Sequence, residues 1–249
     1  MKRTIAGVAL GATLAVAVAA TRPFWVAPDA AQAQSWLHDA ADRHDAGAEA
    51  SLARWSARAN ADARHAYAAL LAHRGDGLSH QQLEQVLDAG ASAGDAVAAT
   101  QLAELLAGAG VGARAGDKHD DPRIARLLAQ GGAGHVPAAS RLLALRALDA
   151  SRGQPDVALA ATLLGQAADG GDAPAMFLYA NMLRAGQGVA RDDARALALY
   201  TRASDADYAP ALQALALAWR YGELGLQADA SQSRLMDHEA AEAVAHAAR

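Results

Sequence analysis

Residues Gly186-Gln-Gly-Val-Ala-Arg-Asp-Asp-Ala-Arg-Ala-Leu-Ala-Leu-Tyr200 decide the fold, and on their own they admit two readings. A Gly-x-Gly turn ahead of a helix-like run is how many phosphate-binding loops begin. It is also how a helical chain turns a corner, because glycine takes the left-handed backbone that ends a helix. The neighbours of the stretch decide between them. Leu199-Tyr200 has Leu163-Leu164 and Leu127-Leu128 upstream at 36-residue intervals, and Leu235-Met236 at the same interval downstream. Asp192 has Asp156 and Asp120 in the same places, and Arg202 has Gln166 and Gln130. An aspartate ahead of a helical apolar pattern accepts from the free N–H groups of the first turn. Each unit therefore contains a helix that starts near the aspartate and buries the apolar pair.

The segment before each such helix repeats as well, as Ala-x-x-x-apolar-Ala-x-x-apolar. The copies are Ala63/Tyr67/Ala68/Leu71, Ala98/Leu102/Ala103/Leu106, Ala175/Tyr179/Ala180/Leu183 and Ala211/Leu215/Ala216/Trp219, with a weaker one at Ala139/Leu143/Ala144/Ala147. Spacings of four, one and three place these residues on one helical stripe. Alanine at two of the four places lets a neighbouring helix come close. The spacing predicts five helix–turn–helix units. First helices fall near 62–73, 96–107, 137–150, 173–185 and 209–221; second helices fall near 79–90, 120–131, 155–169, 191–206 and 229–247. A further helix or pair in 34–61 covers the N-terminal end. Units of this length stack into an all-α solenoid, since one pair alone cannot bury its apolar face.

At these residues the chain resembles the Sel1-like repeats, relatives of the tetratricopeptide repeat. Residues 171–207 carry the resemblance best. Ala175, Gly186, Gly188, Val189, Asp192, Ala196, Tyr200 and Ala203 match the family pattern, and Tyr179, Ala180, Leu183 and Leu199 are conservative or partial replacements. The unit at 135–171 keeps Asp156, Ala160 and Leu163-Leu164 but has Asp149-Ala-Ser-Arg-Gly153 in place of the glycine turn. The last unit keeps Gly222 but has Gly225 where valine is expected. The resemblance covers roughly 62–247. It implies a repeat scaffold at 62–249 and a general role in binding, not a reaction.

Composition agrees with a helical repeat protein. The chain has 249 residues, 53% of them hydrophobic and only 4% aromatic, so much of its apolar surface is alanine, the best helix former. The formal net charge is -5. The lysines are Lys2 and Lys118, and no long basic run appears, which argues against nucleic acid as a partner. Without cysteine there is no disulfide, thiolate metal site or cysteine nucleophile.

Lys2 and Arg3 precede the apolar run from Ile5 to Ala20, the pattern of an export signal. Small-residue cleavage sites stand at Ala17-Val18-Ala19 and at Ala31-Gln32-Ala33. The alternative is an uncleaved anchor, although the run is short of the roughly 20 residues a spanning helix needs. Residues 1–33 are thus expected to be a signal peptide or an N-terminal membrane anchor. Either reading places the remainder outside the cytoplasmic membrane, in the periplasm or held at the inner membrane and facing it.

Other candidate chemistry is sparse. Gly108-Ala-Gly-Val-Gly112 and the opening turn lack the Gly-Lys-Ser/Thr ending of a nucleotide loop, and helices rather than strands precede them. His38 and Asp42 lie one turn apart and could ligate a metal, or belong to a solvated face. Lys118-His-Asp-Asp121 sits in a polar stretch leading into a helix, and His238 and His246 lack a His-Glu-x-x-His pattern. Capping accounts for Asp120-Asp121 and Asp192-Asp193. Ser-x-x-Lys does not occur, and Gly90-Ala-Ser-Ala-Gly94, which has the letters Gly-x-Ser-x-Gly, follows a helical pattern rather than the strand a nucleophile elbow needs. Trp36 and Trp55 are either partner anchors or seals on the end of the array. The expectation is an exported, non-enzymatic scaffold for an unidentified protein or peptide, with no cofactor and no metal. The alternative is an envelope enzyme or cell-wall-binding factor with a dispersed His/Asp site.

Overall fold

The computed structural model describes residues 27–58, 60–75, 77–108 and 122–247. Every regular element among them is a helix. The chain divides into two compact units, Met1–Ala98 and Ala99–Arg249. The first contains α1 (Ala30–Asp42), α2 (Ala46–Ala57), α3 (Ala61–Arg74), α4 (Gly77–Ser92) and the start of α5 (Ala96–Gly108). There α1 lies against both α2 and α3, and α3 packs on α2 and α4. The second holds the rest of α5, then α6 (Pro122–Ala133), α7 (Pro137–Leu148), α8 (Val157–Asp169), α9 (Ala173–Ala185), α10 (Asp193–Ser204), α11 (Ala209–Tyr221) and α12 (Ala230–Ala247). From α6 onward each helix packs against the next, and α7 also touches α9.

The repeat is written into the backbone. Three residues before each motif alanine, one N–H bonds to the carbonyl five residues earlier: Asn60 to Trp55 (3.2 Å), Asp95 to Gly90 (3.0 Å), Val136 to Gly131 (3.0 Å), Asp172 to Ala167 (3.1 Å) and Tyr208 to Ala203 (3.1 Å). This is the six-to-one bond that closes a helix through a left-handed residue. That residue has φ 91° at Gly94, 56° at His135, 94° at Gly171 and 54° at Asp207. Histidine and aspartate tolerate the left-handed region better than most side chains, so glycine is not needed at every corner.

The same residues open the first helix of each pair. Asn60, Asp95 and Asp172 accept from the N–H groups of Ala63 (2.8 Å), Ala98 (3.1 Å) and Ala175 (2.7 Å). Val136 and Tyr208 offer no capping oxygen, and there a proline enters the first turn, where its missing N–H costs nothing. The motif alanines Ala63, Ala98, Ala139, Ala175 and Ala211 are all fully buried.

The second corner of each unit is set by the aspartate. Asp156 Oδ1 accepts from Leu159 N–H (2.9 Å), and Asp192 Oδ1 from Arg195 N–H (2.9 Å). Their own N–H groups reach back nine residues, Asp156 to the Ala147 carbonyl (2.9 Å) and Asp192 to the Leu183 carbonyl (3.1 Å). Asp120 and the 109–121 segment lie outside the described residues, as do the charged and apolar parts of the N-terminal segment.

One expectation is corrected in the last unit. The 36-residue spacing aligns Leu235-Met236 with Leu199-Tyr200 as a buried pair, yet Leu235 is 47% exposed. Here the capping residue is Asp229, whose N–H reaches back ten residues to Trp219 (2.8 Å) and whose Oδ1 accepts from Ser231 and Gln232. The Gly222–Asp229 loop carries one extra residue, so Met236 takes the place of Leu199 and packs on the core. A one-residue slip rotates a helix by about 100° and turns Leu235 outward.

Candidate functional site

The opening stretch forms the corner between α9 and α10. Gly186 ends α9 with φ 65° and ψ 32°, and Gln187 N–H closes onto the Met182 carbonyl (3.0 Å). Gly188 has φ 67°, and a Cβ there would overlap the carbonyl of Val157 at the start of α8. The second glycine therefore lets this corner press on the helix of the preceding unit. Val189 is partly buried against the core, and Asp192 caps α10. Ala175, Tyr179, Ala180, Leu183, Ala196, Leu199, Tyr200 and Ala203 are all buried in one cluster.

Tyr200 is the largest fully buried side chain among the described residues, and its hydroxyl donates to Asn181 Oδ1 at 2.6 Å. Burial pushes its phenol pKa up, and the nearby Arg184 guanidinium opposes this without reversing it. Arg195 lies over the Tyr179 ring at 5.2 Å from its centroid.

Beside this corner is a polar cleft of about 470 Å³, floored by the Gly222–Gly225 loop of the next unit. Arg184 and Glu223 meet there at 3.0 Å, and Arg191 clasps Asp193 with Nε (3.0 Å) and Nη2 (2.8 Å). Each guanidinium of the cleft faces a carboxylate, so its charges balance. The Arg184–Glu223 pair in the cleft links successive corners.

A position that the sequence reading missed joins successive units. Two residues after the motif alanine, His65, Arg141 and Phe177 each meet the residue three before the next motif alanine. His65 Nε2 is 2.9 Å from Asp95 Oδ2, and the same carboxylate accepts from Arg64 Nη1 at 3.1 Å. Arg141 Nε donates to both oxygens of Asp172 (3.0 and 3.2 Å), and Nη2 donates to Glu104 (2.7 Å). Phe177 meets Tyr208 edge to face at 5.8 Å. Burial would raise the Asp95 carboxyl, but the Ala98 N–H, His65 and Arg64 outweigh it and hold the pKa below the usual aspartate value. The signal was present as a fixed spacing, but ion pairs in two places and rings in a third share no residue type.

The remaining candidates fall apart as sites. His38 Nδ1 lies 2.7 Å from Asp42 Oδ2, with both side chains about three-fifths exposed. His238 Nε2 lies 3.7 Å from Glu242 on the last helix. Among the described residues no three His, Cys, Asp or Glu side chains form a group able to hold a metal, and no helix is long and apolar enough to cross a membrane. Trp55 is buried, with Arg58 over its ring at 5.1 Å, and Trp36 is partly buried against the N-terminal cluster of Ala33, Ala40, Leu52 and Leu70. Lys118-His-Asp-Asp121 and the loop after Gly108 lie outside the described residues.

This architecture recurs in solved structures. A Sel1 repeat protein from Oxalobacter formigenes superposes with a TM-score of 0.67 at 16% identity, covering 85% of each chain. A protective antigen present in uropathogenic Escherichia coli strains, displaying an SLR fold, superposes with a TM-score of 0.53 at 19% identity. That match covers 86% of this chain and 51% of the antigen. No protein-family model and no curated protein sequence matches the chain. The fold is the Sel1-like repeat fold, an all-α solenoid of helix–turn–helix units.

Proposed function

We propose that this protein is an exported, non-enzymatic scaffold that holds another protein or peptide in the cell envelope. The observation that carries the reading is the repetition itself. Stacked helix pairs present equivalent positions side by side, and such surfaces suit extended partners. Six residues after the motif alanine stand Leu145 on α7 and Leu217 on α11, while Asn181 at the same place on α9 is half-buried and accepts from Tyr200. Leu145 is 40% and Leu217 is 45% exposed. Apolar side chains left at equivalent exposed positions fit a binding face better than a solvated one. The buried and half-buried charges, in contrast, are engaged with one another as links between units. The charged start and apolar run of residues 2–20 support export. Photo-crosslinking from the first-helix positions in intact cells tests the reading: adducts with a defined partner are expected there and not from the exposed face of the second helices.

A further inference from the structure

The Ala31-Gln-Ala33 stretch lies in the first helix of the fold, α1. Ala33 is 1% exposed and sits in a cluster with Ala40, Ala48, Leu52, Ala66 and Leu70, drawn from α1, α2 and α3. Asp29 caps α1, its Oδ1 accepting from Gln32 N–H at 2.9 Å and its carbonyl from Ala33 N–H at 3.0 Å. Pro28 is buried, and its carbonyl accepts from Asn60 Nδ2 at 3.1 Å. Asn60 is also the cap of α3. One amide side chain thus ties the start of α1 to the start of α3.

Cutting the chain after Ala33 would remove all of this at once. The cap, the first turn of α1, the buried methyl of Ala33 and the Pro28 acceptor would leave together. Asn60 would keep only its capping role. The charged amine of Gln34 would then stand inside the truncated helix, at the positive end of its dipole.

We propose that the processed chain retains residues 28–33. The peptide bond hydrolysed on export lies ahead of Pro28, with water supplying the new carboxylate and amine, and Ala31-Gln-Ala33 is the N-terminal lock of the first unit rather than a processing site. That a bond is cut at all rests on the export reading; the retention of 28–33 rests on packing alone.

The experiment takes the full-length gene product, expressed in its own envelope, and measures its intact mass. The expected N-terminus falls at or before Pro28. A mature chain that begins at Gln34 overturns the proposal. In parallel, Ala33→Arg and the milder Asp29→Ala are made in the full chain and melted. A fall in Tm of about 5 °C or more is expected for Ala33→Arg, and of about 2–4 °C for Asp29→Ala. Unchanged melting of both overturns the proposal as well. A chain recovered whole from the cytoplasm would defeat the export reading instead, and the melting comparison would still decide the role of 28–33.

Discussion

At the scale of single residues, the two glycines of the opening turn have different duties. Gly186 needs only its left-handed backbone, and a Cβ there meets nothing closer than 3.6 Å. Gly188 needs both the backbone and the space, because the Val157 carbonyl occupies the place of a side chain. Gly186→Ala should therefore cost about 1 kcal/mol, the price of a left-handed alanine. Gly188→Ala should cost roughly 2–4 kcal/mol, since backbone must also shift. Urea unfolding of the two variants checks the order, and equal losses would refute the close approach to α8. Asp95 supplies a pH test. Its pKa is lowered in the folded state, so its contribution is complete above the unfolded value of about 4 and is lost as pH falls through the lowered one. Asp95→Asn should lower the urea midpoint at pH 7, and the gap to the parent should shrink as pH falls below about 4 and through the lowered pKa. A constant gap between the two across that range would show that the carboxylate charge is not what matters.

At the scale of helices, much was legible and the remainder has identifiable causes. The motif alanines and the aspartates fixed the helix pairs because both obey spacing rules that need no tertiary knowledge. For α5, α7, α9 and α11 the expected starts agree with the structure, as do the expected ends of α8, α9, α11 and α12, and the other bounds differ by one or two residues. Two features escaped. The caps at Asn60, Asp95 and Asp172 share a place, but Val136 and Tyr208 stand there in two units, so no single residue type marks it. The extra residue before Asp229 was hidden because Leu235-Met236 satisfied the 36-residue spacing by coincidence. The slip makes a sharp prediction. Leu235→Ala should change stability by less than about 0.5 kcal/mol, as for an exposed side chain. Met236→Ala should cost about 1–2 kcal/mol, less than a fully buried methionine because Met236 is only partly buried. Thermal unfolding of the pair distinguishes them, and the reverse order would restore the uncorrected alignment.

At the scale of the whole molecule, fold and function were legible to different degrees. The solenoid could be read because its construction is periodic, and every copy adds weight to the others. The proposed partner could not, because a binding face would be made of the positions that the repeat leaves free. In the second unit those positions include Leu145 and Leu217, exposed at equivalent places on α7 and α11. The charges around the opening corner are structural: Asp192 caps α10, Arg191 pairs with Asp193, and Arg184 reaches Glu223 of the next corner. The central claim is that the array works by holding a partner along its first helices. The most direct measurement places a photo-crosslinking residue at Leu145 or Leu217, and as controls at the exposed Thr162 or Thr201 of the second helices. After irradiation of intact cells, the account predicts one adduct of the same mass from both leucine positions and none from the threonines. Adducts from the threonine positions alone, or from no position, would contradict it.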